Sequence, residues 1–127
     1  MMNAAERFLA ASRAQDVEAA IATLADDVVM RNPATDDPVI GAAAVGEALR
    51  AVGGAADEFR HTHLLRSSPG DESQLYGLVY EARVGENTLS GVDLVTIDEH
   101  DRIATFTVLA RPIAALMALG GRMSGQG

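Results

Sequence analysis

The chain predicts an α+β fold in which helices pack against one face of a curved antiparallel sheet. Three observations carry that prediction. Apolar residues recur with helical spacing through the first fifty positions, and after Gly53-Gly54 they alternate with a period of two. The alternating segments are then joined by short, turn-rich links suited to hairpins. With 127 residues, 48% of them hydrophobic, there is material for one domain with a true core and too little for two. Aromatics make up only 4%, so Ala, Leu and Val must fill most of the interior.

The first helix is expected over residues 4–14, where Ala4, Ala5, Phe8, Leu9 and Ser12 share a stripe. Asp16 offers an N-cap to a second helix carrying Val17, Ala20, Ile21 and Leu24 on one face. Asp26-Asp27 breaks that pattern before a short strand from Val28 to Asn32. The segment "NPATDDPVIG" reads as a turn with a brief extended piece. Gly41 leads into a third helix with Val45, Leu49 and Val52 on one face, and Gly53-Gly54 is expected to stop it. Strands follow at Phe59–Leu65, Gln74–Val84, Thr88–Ile97 and Arg102–Ala110, linked by "RSSPGDES", "GEN" and "DEHD". Arg111-Pro112 ends the last strand, and Ile113–Leu119 forms a short closing helix. Residues 1–119 thus make a single domain, and 120–127, "GGRMSGQG", a flexible tail.

Charge narrows the partners. Eighteen acidic against 10 basic side chains give a net charge of −8, which repels phosphate backbones and anionic lipid and argues against nucleic acid and membranes. Cysteine is absent, so disulfides and thiol catalysis are excluded, in keeping with a reducing compartment. The segment "MMNAAER" lacks the apolar core of a signal peptide, and no run approaches the roughly 18 apolar residues of a membrane span. A soluble cytoplasmic protein is expected.

Asp93 is the residue the pattern does not explain. It interrupts a strand between Val92 and Leu94, on the face shared by Leu89, Gly91, Val95 and Ile97. A buried carboxylate without a partner is costly, and desolvation raises its pKa above the ordinary value of about 3.9. Held near Phe8, Phe106 and Val108, such a group can donate to a ligand oxygen or act as a general acid. The plainer alternative is a structural ion accepting hydrogen bonds from Arg83, a threonine or the backbone.

Three segments in order, "LADDVVMRNP", "GAAAVGEALR" and "GVDLVTIDEHDRI", make the chain resemble the SnoaL-like, ketosteroid-isomerase-like branch of the NTF2-like superfamily, from about Glu6 to Pro112. The resemblance implies a cone in which the curved sheet wraps around three helices from the N-terminal half, with a short C-terminal helix. It implies an apolar cavity for a steroid-, polyketide- or terpenoid-like molecule, no cofactor, and a homodimer through the sheet face. Ketosteroid isomerases use an aspartate base with a tyrosine and a protonated aspartate as oxyanion donors. By position the oxyanion aspartate falls on Asp93, the tyrosine on Phe8 and the base on Asn32. Limonene-epoxide-hydrolase-like members hold a water with an asparagine, matched by Asn32, and use an arginine, matched by Arg83. Their remaining aspartates and tyrosine fall on Gly85, Val108 and Met30. SnoaL-type cyclases use a pocket aspartate near the end of the sheet, again Asp93.

The remaining candidates follow from residue chemistry. Asn32 can hold a water or a carbonyl, or simply turn the chain before Pro33. If Tyr76, Leu78 and Tyr80 face inward, Arg83 faces out; the other register sends Val79, Glu81 and Arg83 inward. His61 and His63, two apart on a strand, share a side by simple parity and read as rim residues, with no third side chain spaced to complete a metal site. Asp36-Asp37 and His100 read as turn residues, and Met30, Met117 and Met123 as core or lid filling. No GxGxxG, P-loop, Ser–His–Asp or Cys–His pattern is visible. The expected function is therefore a pocket for a small hydrophobic molecule, with Asp93 and Asn32 as the reacting groups. Around them Phe8, Met30, Tyr76, Tyr80, Arg83, Val95, Phe106 and Val108 contact the ligand. The alternative is a non-catalytic binding or dimerisation module of the same fold.

Overall fold

Helix α1 (Ala4–Arg13) begins at a reciprocal cap. The Asn3 side chain accepts from the Glu6 N–H and the Glu6 carboxylate accepts from the Asn3 N–H, which satisfies two end donors at once. Its stripe of Ala4, Ala5, Phe8 and Leu9 is buried. Asp16 caps α2 (Val17–Ile21) by accepting from the Ala19 N–H, as the sequence predicts. A computed structural model describes residues 1–125 of the chain.

Strand β1 (Leu24–Arg31) starts at Leu24 rather than Val28. Asp26 and Asp27 stay exposed within it, where the register against its neighbour shifts. After β2 (Val39–Ile40), α3 (Ala42–Ala55) runs through Gly53-Gly54 instead of stopping there. Both glycines face open space, and packing through Val45, Leu49 and Val52 carries the helix past them.

The strands β3 (Glu58–Arg66), β4 (Leu75–Val84), β5 (Asn87–Ile97) and β6 (Ile103–Arg111) lie within a residue or so of their expected limits. The six-stranded sheet has the order β2-β1-β6-β5-β4-β3. Every neighbouring pair is antiparallel except β1 and β6, which run parallel with Met30 beside Phe106. The wholly antiparallel sheet expected from hairpin spacing is corrected there. The intervening α3 and four strands supply the long crossover that parallel neighbours require. Asp101, in the β5–β6 turn, accepts from the Ala4 N–H at 2.9 Å and from Arg7 at 2.7 Å, pinning the start of α1 to the sheet.

Helix α4 (Ile113–Met123) extends past Leu119. Gly120–Met123, expected in the flexible tail, are helical, and Arg122 donates to the Ala55 carbonyl at 3.1 Å and to Asp57 at 2.9 Å. Residues 126–127, the end of that tail, lie outside the described residues. One core cluster joins α1 to the sheet around Leu78, Val95, Ile103 and Phe106; a second joins α4 to β4 and β5 around Tyr80, Val84, Leu89 and Leu119. Between them the concave face of the sheet stays open towards α1, α3 and α4. Among the described residues no helix is long and apolar enough to cross a membrane.

Candidate active site

Sheet register decides which side chains reach that concavity. Leu78 pairs with Asp93 and Tyr80 with Gly91 across β4 and β5. Leu78, Tyr80, Ala82 and Val84 are buried together with Leu89, Asp93 and Val95, so Arg83 points the other way. Arg83 lies at the sheet edge, 3.5 Å from Asp57 and 3.6 Å from Glu58, and touches only the rim of the cavity. A register that sends Val79, Glu81 and Arg83 inward is thereby ruled out.

Asp93 is 5% exposed, and its partner is His61. His61 Nε2 stands 3.0 Å from Asp93 Oδ2, and His61 Nδ1 stands 2.6 Å from Ser12 Oγ on α1. The histidine is itself 5% exposed, so the rim position expected for it is corrected. The cause is a bulge in β3: His61 pairs with Tyr80 and His63 with Val79, leaving Thr62 as the extra residue. One added residue reverses the alternation. His61 enters the interior, His63 is exposed on the outer face, and the two rings do not converge.

Aromatic rings enclose the histidine. Phe8, Phe59 and Tyr80 meet it edge-on, with ring centroids at 5.9, 5.2 and 5.8 Å. These walls exclude water from the carboxyl group. Burial pushes Asp93 above the usual carboxylate range, and the hydrogen bond and charge of His61 pull it part of the way back. Tyr80 is pushed upward as well, by burial and then by the nearby Asp93 charge. Its hydroxyl is not turned towards the cavity centre. It donates to the Leu109 carbonyl at 3.4 Å, passing over Gly91, where a Cβ would sit 2.7 Å from the Tyr80 hydroxyl oxygen.

A cavity of about 1460 Å³ extends from this cluster between α3, α4 and the sheet. Ser12, His61 and Asp93 line it together, with Phe8, Met30, Asn32, Tyr80, Phe106 and Val108 from the expected set. Two expected ligand contacts do not. Val95 is fully buried in the core beyond Asp93, and Tyr76 lies nearer the strand start, with the Arg66 guanidinium 5.6 Å from its ring centre. Asn32 lies at the cavity's edge, where its Oδ1 accepts from the Ala34 N–H at 3.0 Å. The turn therefore uses its carbonyl, and its NH2 group is the end left for a guest.

Asp93 and His61 form a buried hydrogen-bonded pair at the wall of this chamber, with Ser12 as the third member of the line. No Ser–His–Asp pattern shows in the sequence, yet the fold brings Ser12, His61 and Asp93 together, since they come from α1, β3 and β5 and share no local motif. A curved six-stranded sheet wrapped around helices, with one buried acid group facing a chamber, defines an NTF2-like α+β protein. The chain belongs to the SnoaL-like domain family, whose match spans residues 5–106.

Solved structures agree. A steroid delta-isomerase from Pseudomonas aeruginosa is 32% identical, with a TM-score of 0.84 over 99% of this chain and 92% of its own. An uncharacterised protein with a cystatin-like fold from Silicibacter pomeroyi is 28% identical, with a TM-score of 0.82 over 97% and 84%. A polyketide cyclase homologue from Sinorhizobium meliloti, described as putative in its own right, shares the fold at 19% identity, with a TM-score of 0.65 over 86% and 95%. No curated protein matches the chain. The mixed α+β cone and its kinship with NTF2-like, isomerase and cyclase folds are thus established.

Proposed function

We propose that this protein binds a small apolar molecule and moves a proton on it, in the manner of an isomerase or cyclase. The carrying observation is the Asp93–His61 hydrogen bond, 3.0 Å long and dry, at the wall of the cavity. Asp93, held above the usual carboxylate range by burial, is suited to donate a proton to a developing oxyanion. His61 supplies the base that the isomerase-like pattern lacks once Asn32 stands at the base position. Asn32 steers a carbonyl or a water with its NH2 group, and Phe8, Phe106 and Val108 exclude solvent. The 32% identity to a steroid delta-isomerase supports a polycyclic or terpenoid-sized guest.

The test is Asp93→Asn, assayed by substrate depletion against apolar ketones and epoxides. Turnover or ligand binding should fall at least about a hundredfold, as when a positioned acid is removed, while the melting transition stays cooperative. Unchanged binding and turnover would reject the role. One observation favours a second reading: Phe8 has no hydroxyl and Tyr80 directs its own at Leu109, so neither ring supplies a second oxyanion donor. A non-catalytic binder of the same ligand class would show a ligand-induced thermal shift without product. In either case the outer sheet face, with Leu65 and Leu109 about half exposed, supports a homodimer, which light scattering would detect.

A further inference from the structure

The line from Ser12 through His61 to Asp93 can hold its protons in two ways, and they differ in what Ser12 offers the cavity. A neutral imidazole has one donor and one acceptor nitrogen, an imidazolium has two donors, and a carboxylate only accepts. While the line keeps its extra proton, His61 Nδ1–H donates to Ser12. This holds with the proton on Asp93, which then donates to Nε2, and equally with it on the ring. The Ser12 O–H is then free to point into the cavity. When that proton leaves, Nε2–H must face the carboxylate, Nδ1 becomes an acceptor, and the Ser12 O–H turns towards it. Ser12 now shows the cavity only lone pairs.

Ser12 stands where a guest would meet it. It lines the cavity one turn from Phe8 and is half-buried rather than enclosed. Among the described residues its Oγ bonds to His61 alone and not to the carbonyl one turn back in α1, so its other valence is uncommitted. We infer that Ser12 is a specificity-determining contact: with the line protonated it donates to the oxygen of an apolar carbonyl compound, and with the line deprotonated it accepts from the O–H of the corresponding phenol or enol. This rests on the reading that the cavity takes a small apolar molecule.

Few other charged groups surround the line. From β4 comes Tyr80, held above its ordinary pKa by burial, and Glu81, paired with Arg60 of β3 at 3.1 Å. From α1, Arg13 donates to the His61 and Thr62 carbonyls. From α3, Arg50 pairs with Glu18 of α2, and Asp16 lies at the same rim. Arg83, Asp57 and Glu58 form the far rim, while β6 contributes only Phe106 and Val108.

The experiment is calorimetric titration of the full chain with 1-tetralone and with 5,6,7,8-tetrahydro-1-naphthol, one carbon skeleton bearing an acceptor or a donor, from pH 5 to 8.5. Two buffers of different ionisation enthalpy report proton uptake. Tetralone affinity should fall by up to about tenfold per pH unit as the line loses its proton, levelling off near the affinity of Ser12→Ala, with uptake approaching one proton per site across that fall. The naphthol should hold or gain affinity over the same range. Ser12→Ala should abolish the contrast while both compounds still bind, Ser12→Thr should restore it, and Asp93→Asn should flatten the tetralone profile. Tetralone binding that is proton-silent and independent of pH, or a contrast that survives Ser12→Ala, overturns this inference alone. Failure of both compounds to bind at any pH overturns the pocket reading and this inference with it.

Discussion

His61→Phe isolates what the histidine contributes to a buried acid. The new ring fills nearly the same volume and meets the same aromatic walls, at 5–6 Å from Phe8, Phe59 and Tyr80, so packing terms stay small. What disappears is the 3.0 Å hydrogen bond to Asp93, together with the 2.6 Å one to the half-buried Ser12 hydroxyl. In ionised form a buried carboxylate stripped of its partner costs roughly 3–5 kcal/mol. Below its pKa the group takes a proton instead, and only an unsatisfied polar group remains, at roughly 1–3 kcal/mol. The sign follows from linkage: burial raises the folded-state pKa above the unfolded value of about 3.9. Stability from the protonated form is complete below that unfolded value and is lost as pH rises through the folded one. Removing His61 raises the folded value further and steepens the loss. For a chain of 127 residues about 4 °C accompanies each kcal/mol. Melting curves should therefore show a drop of about 12–20 °C at pH 8 and about 4–12 °C at pH 5. The double variant His61→Phe/Asp93→Leu, apolar on both sides, should return to within about 1–2 kcal/mol of the parent, because no buried carboxyl group is left unpaired and only the half-buried Ser12 hydroxyl loses its partner. A deficit that does not grow with pH, or a double variant worse than the sum of the singles, would refute the reasoning.

Two further outcomes follow from the packing. Gly91→Ala places a Cβ 2.1 Å from the Leu109 carbonyl oxygen and 2.7 Å from the Tyr80 hydroxyl, so melting should fall by about 4–12 °C for an overpacking cost of roughly 1–3 kcal/mol; adding Tyr80→Phe should recover only part of it, since the backbone clash persists. Arg122→Ala removes the bonds from α4 to Ala55 and Asp57, so amide exchange over residues 116–123 should quicken while the strands keep their protection.

Much of this molecule can be read from its residues. The change of period after the third helix marks the α+β class, and alternation alone puts Asp93 inside with Leu89 and Val95. Inward-facing Leu78 and Tyr80 also require Arg83 to face out, as it does. What escapes is whatever depends on a break in that alternation or on contacts far apart in sequence. His61 is hidden because the bulge at Thr62 has no glycine or proline to announce it, and parity then groups it with His63. Ser12 is visible only as a polar member of an apolar stripe, and its role needs a strand some fifty positions away. The passage of α3 through Gly53-Gly54 reflects packing that outweighs local propensity. The parallel contact of β1 with β6 leaves no mark in either strand's pattern.

That parallel contact also orders events during assembly. Met30 and Phe106 lie far apart in sequence, so every strand between them has been made before the sheet can be completed. Until then the β3–β4–β5 hairpins form locally with one long edge unpaired, and Asp93 remains wet. Pairings this distant in sequence fold slowly and leave that edge open to other chains meanwhile. The acid group acquires its unusual chemistry only with the last strand.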